Sequence, residues 1–257
     1  MHNCLKRIER LFYEKTGITF KNKESLLYMK IAQLMQKSSI YSCEEFWRHL
    51  LNNEALFGSL IEELTISQSY FFRERVQFDM LIDLIHNDYI AAPSILSLPC
   101  ARGEEPYSIA ITLLQNGIKS FFIDAIDISM QAIAIAKDGK YEKRECKNID
   151  ENTIKKFFDN NDNYYIIKDL VKERINFYVM NLFDKNLLHF GKYDFIFCRN
   201  LFIYLDDQKK QEALQIFHTL LKEGGYLFLS FSDYFKTHPG FVKIAIDNKI
   251  YYKKSVI

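Results

Sequence analysis

Long apolar runs are missing from this chain of 257 residues. None reaches the roughly 18 residues that a membrane-crossing helix needs, and Met1 to Arg10 lacks the apolar centre of a signal peptide. A cytoplasmic protein, not inserted in a membrane, is the expectation. Excess charge is missing too: 34 Lys and Arg against 33 Asp and Glu leave a net charge of +1. Electrostatics therefore makes no case for nucleic acid as the main partner. The five cysteines (Cys4, Cys43, Cys100, Cys146, Cys198) contain no Cys-x-x-Cys pair and no metal spacing. That usage fits a reducing compartment and predicts buried, inert thiols. The six histidines form no i, i+4 ligand pair, so no metal centre is expected. Internal repeats and low-complexity tracts are absent as well.

What is present is 48% hydrophobic residues, enough for a normal core in one large domain or two small ones. Residues 1–75 read as a small helical domain. Leu5, Ile8, Leu11 and Phe12 recur at helical spacing, and so do Leu26, Leu27, Ile31 and Leu34 and the sets around Phe46 and Leu60. Ser42 with Glu45 predicts a capped helix start, and Asn53 another. Residues 1–37 carry eight Lys or Arg against three Glu, with Lys23, Lys30 and Lys37 a heptad apart. Such a stripe is either a solvated face or a patch for an acidic partner.

A run of hydroxyl and aromatic residues, Thr65 to Arg73, joins this domain to a second at 76–257. There the periodicity changes. A short strand at 95–98, a turn at 99–108 and a helix predicted over 109–114 make the first βα unit of a doubly wound fold. The turn has one glycine, Gly103, so the three-glycine dinucleotide fingerprint is absent. Its adjacent carboxylates, Glu104 and Glu105, suit a ligand carrying positive charge. A second strand, 121–126, ends at Asp127, a position suited to accept hydrogen bonds from two ribose hydroxyls. The segment 141–175 is polar and irregular, and a small antiparallel insertion is expected around 159–178. Strands are further expected at 175–179, followed by Asn181 and Leu182, and at 226–231, 241–246 and 249–253, with a hairpin turn at Asp247-Asn248.

The chain is organised around Tyr193 to Asp206. Its first six residues read as a strand buried on both faces. Arg199 and Asn200 then arrive at the carboxyl end, where open α/β sheets bind ligands, and Tyr204 follows. A helix is predicted from Gln208 to Leu221, closed by Gly224 and Gly225.

Taken together, Thr65-x-Ser-x-Ser-Tyr-Phe-Phe-Arg-Glu, Gly103-Glu-Glu-Pro-Tyr-Ser, Ala125-x-Asp-Ile, Asn181-Leu and Phe197-Cys-Arg-Asn-x-x-Ile-Tyr-x-Asp, with the later Gly224-Gly-Tyr-Leu, resemble the CheR family of chemotaxis receptor methyltransferases. The resemblance runs through nearly the whole chain in order. It implies a class I S-adenosylmethionine-dependent methyltransferase domain of Rossmann-like α/β fold, with an N-terminal all-helical domain and an inserted β-subdomain. The implied reaction moves a methyl group from S-adenosylmethionine to glutamates in the cytoplasmic helices of chemoreceptors, leaving S-adenosylhomocysteine, with no metal. A monomeric enzyme recruited to membrane receptor arrays is expected.

Carried onto this chain, the resemblance places Ser67, Ser69 and Arg73 at the cofactor's methionine end and the incoming carboxylate. Gly103 and one or both of Glu104 and Glu105 would lie against the methionine and its ammonium. Asp127 would hold the ribose, Asn181 and Leu182 would flank the adenine, and Arg199 and Asn200 would line the pocket. Arg73 and Tyr204 are the expected catalytic residues, and Phe71, Phe72 and Phe202 the expected barrier to water. This chain departs from the family's pattern in having Ser67 for Asn, Ser69 for Thr and Asp233 for Glu. Its turn at 159–163 also lacks the glycines of members that dock on a receptor's C-terminal tail. Methylation of another carboxylate, or cofactor binding without turnover, are the alternatives.

Overall fold

The computed structural model describes residues 2–65, 69–246 and 249–255, so Ser67 and the turn expected at Asp247-Asn248 lie outside the described residues. Four helices open the chain: α1 (His2–Thr16), α2 (Glu24–Lys37), α3 (Cys43–Asn52) and α4 (Glu54–Leu64). Their apolar stripes meet in one core in which Ile8, Phe12, Leu27, Ile31, Phe46 and Leu60 are fully buried. Ser42 accepts a hydrogen bond from the Glu45 amide and Asn53 from that of Leu56. Each such cap stabilises its helix by about 1 kcal/mol. The expectation of five free thiols is corrected here. Packing α1 on α3 sets the Cα atoms of Cys4 and Cys43 6.2 Å apart, and their sulfurs are bonded, while Cys100, Cys146 and Cys198 are free and buried.

The second unit runs α5 (Val76–Asn87), β1 (Ser94–Ser97), α6 (Glu104–Gln115), β2 (Phe122–Asp127) and α7 (Met130–Asp138). A small subdomain follows: β3 (Lys140–Glu142), α8 (Glu151–Phe157), β4 (Phe158–Asn160), β5 (Tyr164–Ile167) and α9 (Asp169–Lys172). The chain then returns through β6 (Ile175–Val179), β7 (Tyr193–Cys198), α10 (Asp207–Leu220), β8 (Leu221–Leu229), β9 (Phe241–Ile246) and β10 (Lys249–Lys254). Seven strands form one sheet in the order β6-β2-β1-β7-β8-β10-β9, parallel from β6 to β8 and antiparallel beyond. The strands β3, β5 and β4 form a separate antiparallel sheet, and β6 belongs to the large one.

The central strand β7 shows why its sequence does not alternate. Phe195 and Phe197 pack into the core under α5 and α6, while Ile196 and Cys198 pack into the core under α10. Successive side chains point to opposite faces of a sheet, and here both faces are covered. Two boundaries differ from expectation. Helix α6 starts at Glu104 because Gly103, with φ of +95°, caps it in the left-handed region. Gly224 and Gly225 do not close a helix but lie inside β8. The register against β7 shifts there, and a Cβ on Gly225 would come within 3.0 Å of the Asp194 and Lys222 carbonyl oxygens.

Candidate active site

Strand order reverses between β1 and β7, which places a crevice at their carboxyl ends. Three turns build its floor. After β1 come Pro99, Cys100 and Ala101, after β2 comes Ile128, and after β7 come Arg199, Asn200, Leu201 and Tyr204. The helical domain supplies the roof through Ile18, Thr19, Phe20 and Lys23 between α1 and α2, and Leu26 and Lys30 on α2. This corner is fastened to the floor. Ile18 pairs with Leu205 as an antiparallel bridge, the Thr19 amide donates to the Tyr204 carbonyl at 2.9 Å, and the Tyr13 hydroxyl donates to Asp206 at 2.7 Å.

Arg199 lies at the centre, almost fully buried. Its Nη2 donates to the Arg73 carbonyl at 2.5 Å, and its Nε sits 3.3 Å from Glu105 and 3.7 Å from Glu74. Neither carboxylate meets Nε with hydrogen-bond geometry, so Arg199 Nε and Nη1 and Glu74 Oε2 carry no hydrogen bond. Buried donors left open in this way call for a ligand. Glu105 also accepts from Ser97 at 2.7 Å, and burial pushes its carboxyl up against the pull of Arg199.

Glu104 and Glu105 part company. Successive helical residues point about 100° apart, so Glu105 lines the crevice while Glu104 turns behind it toward Arg102, 4.0 Å away. Burial lifts Glu104 to about 7. Asp127 lines the crevice with both oxygens engaged, Oδ2 by the Ala101 amide at 2.8 Å and Oδ1 by that of Ser129 at 2.9 Å. Each oxygen keeps a second lone pair for a ligand. Burial nevertheless raises this carboxyl to about 6.

Ser69, Arg73, Glu105, Asp127, Arg199, Asn200 and Tyr204 thus share one cavity. Gly103 stands behind its wall, where a Cβ would come within 2.9 Å of both Ala136 and the Tyr141 hydroxyl. Asn181 and Leu182 do not reach the cavity wall. Asn181 donates to the Lys15 carbonyl at 2.6 Å and accepts from the Phe183 amide, and Leu182 is core. Phe71, Phe72 and Phe202 are not the barrier to water. Phe71 packs on Tyr141 and Phe158, Phe72 on Phe78, and Phe202 on Phe217 and Phe235, while Ile18, Phe20, Phe78 and Leu201 face the cavity. Among the described residues Arg73 forms no ion pair, although its charge is near enough to help hold the Glu105 carboxyl down. Its guanidinium rests 5.5 Å from the Tyr70 ring centre.

Sequence reasoning missed Ser97, Glu74 and the α1–α2 corner. Gly17, which breaks two helical patterns, is the one local sign of that corner. With φ of +73° it lets the chain turn where a Cβ would strike the Phe183 ring. Backbone in the left-handed region gathers around the site at Phe72, Glu74, Ala101 and Asn200, the kind of strain that clusters at ligand clamps.

Residues 67–250 match the family described as CheR methyltransferase, SAM binding domain, and residues 4–65 match CheR methyltransferase, all-alpha domain. A chemotaxis protein methyltransferase of Campylobacter jejuni is 31% identical over 95% of this chain and 94% of its own length. Chemotaxis protein methyltransferase 2 of Vibrio cholerae is 33% identical over 88% of this chain and 84% of its own.

Proposed function

The chain belongs to the CheR methyltransferase family and uses S-adenosylmethionine, and from that premise we propose that it methylates glutamate side chains in the cytoplasmic helices of chemotaxis receptors. The observation that carries this reading is the Arg73 guanidinium, which lines the same cavity as Tyr204 and, near enough to Glu105 for its charge to be felt there, forms no ion pair among the described residues. An arginine left open in a cavity suits a carboxylate brought by the substrate.

The donor set fits the cofactor. Arg199, with two nitrogens that make no hydrogen bond, suits the methionyl carboxylate, Glu105 suits the ammonium, and the free lone pairs of Asp127 suit the ribose hydroxyls. S-adenosylmethionine supplies an electrophilic methyl on a sulfonium, and a carboxylate oxygen bonds to that carbon as the C–S bond breaks. A glutamate of ordinary pKa, about 4.3, is already ionised at neutral pH, so no base need remove a proton, and no histidine lines the cavity among the described residues. Arg73 holds one oxygen of the acceptor by a charge-assisted hydrogen bond while the other attacks. Tyr204 carries a hydroxyl with no partner among the described residues and is the second positioning group. Alignment of this kind is worth several kcal/mol. Charge cancels along the path, so the apolar lining of Ile18, Phe20, Phe78 and Leu201 favours the transition state over the separated ions.

Two of the three heptad lysines, Lys23 and Lys30, line the cavity mouth. Lys37 pairs instead with Glu63 on an exposed face at 2.6 Å. Lys30 is also held within the helical domain, donating to the Glu63 carbonyl at 2.5 Å, so two residues of the stripe bring positive charge to the cavity, one of them tethered, and Lys37 pairs only within the helical domain. Incubation with methyl-labelled cofactor and a receptor cytoplasmic domain should yield protein-bound label released by mild alkali as volatile methanol. Alkali-stable label would assign another acceptor atom, and no label would leave a cofactor binder.

A further inference from the structure

We propose that Ile203, Phe231 and Tyr234 form an apolar rim on which the helix carrying the acceptor carboxylate docks; this rests on the reading above and adds a second wall to its substrate site. All three are large and exposed, at 50%, 53% and 65%. Single exposed apolar residues are ordinary, but these are held together. Asp233 accepts from the Ile203 amide at 3.2 Å through one oxygen, and from the Asn200 and Ser230 amides at 2.5 and 3.2 Å through the other. One buried carboxylate thus pins the loop after β8, which bears Phe231 and Tyr234, to the loop after β7, which bears Ile203.

The rim is continuous with the cavity, because Leu201 and Tyr204 on either side of Ile203 line it. Across the mouth stand Lys23, Lys30 and the 40% exposed Leu26. A ligand spanning the mouth meets apolar surface on the floor side and cations on the roof side, with Arg73 between. An amphipathic helix answers that description. Its acidic residue enters the cavity while apolar residues three or four positions away lie on the same face and reach the rim. A small free carboxylate would enter without touching the rim, so the rim selects for acceptors presented on a helix.

The test uses the whole chain, a receptor cytoplasmic domain as acceptor and S-adenosylhomocysteine as the cofactor probe. Phe231→Ser/Tyr234→Ser and, separately, Ile203→Ser should raise KM for the receptor about tenfold with kcat within twofold and calorimetric cofactor affinity unchanged. Tyr89→Ser, 91% exposed and preceding the amino end of β1, should behave as wild type. A receptor KM within twofold of wild type in both rim variants overturns the rim alone. So does a parallel loss of cofactor affinity, which would make these loops a support for the cofactor. Failure of the wild-type protein to esterify the receptor overturns the rim and the proposed function together.

Discussion

Arg199 at the end of β7 donates to the backbone carbonyl of Arg73, 126 residues earlier, at 2.5 Å. The cation at the centre of the crevice is thereby also tied to the segment on which the second cation is carried. Arg199 stands against Glu105 and Glu74 out of water, and removing one partner of such a cluster leaves buried charge uncompensated. Arg199→Ala should cost about 3–5 kcal/mol of stability, read from the urea midpoint. A loss below about 1 kcal/mol would mean the cluster is solvated.

Arg73 and Tyr204 touch no carboxylate of this chain among the described residues, so their loss should spare the fold. Arg73→Ala and Tyr204→Phe should lower methyl transfer to the receptor by about tenfold or more with the melting temperature within a degree or two of wild type. Rates within about twofold of wild type would remove them from the catalytic step.

Asp127, lifted by burial to about 6, should make cofactor binding depend on pH. Accepting two hydroxyl donors favours the ionised carboxylate, so affinity is present above the raised value and falls as pH drops through it. Titration calorimetry with S-adenosylhomocysteine should show Kd rising by up to about tenfold per pH unit below 6. Asp127→Asn should weaken binding at pH 8 and flatten this limb. A limb that persists in the variant belongs to another group.

Glu104 has the opposite use of the same physics. Its folded-state value of about 7 lies above the usual 4.5, so its contribution to stability is fully present below 4.5 and is lost as pH rises to 7. At about 1.4 kcal/mol per pH unit, ionising it inside the fold costs about 3 kcal/mol. Glu104→Gln should therefore stabilise the protein at pH 8 far more than at pH 5, seen as a pH-dependent gain in thermal midpoint. An equal gain at both values would show that Glu104 is solvated.

Lys23 and Lys30 should matter to the substrate and Lys37 much less. Charge reversal of the first two should raise KM for the receptor by about tenfold at low salt and by less at 0.5 M, because screening weakens the attraction. Lys37→Glu should leave KM within about twofold. Equal effects at all three positions would restore the continuous stripe.

Much of the fold was legible because its signals are local. Helical periodicity marked α1 to α4, the run from Tyr193 to Cys198 marked a strand covered on both faces, and caps at Ser42 and Asn53 marked helix starts. Chemistry-bearing residues at strand ends were legible for the same reason, since a polar residue after a buried strand stands out in one dimension. The division between Glu104 and Glu105 was not, because it depends on how α6 is rotated against the sheet. The Cys4–Cys43 bond was hidden as well: 39 residues separate the two, and only the packing of α1 on α3 makes them neighbours.

The sequence by itself determined the two-part architecture, the family and the inventory of charged groups available to a sulfonium donor. Tertiary structure alone decided which of those groups share a cavity, since hydrogen bonds between Tyr13 and Asp206 or Arg199 and Arg73 close loops of more than a hundred residues. The entropy of closing such loops is met only by burial of the whole core, so no local stretch of chain carries a sign of them.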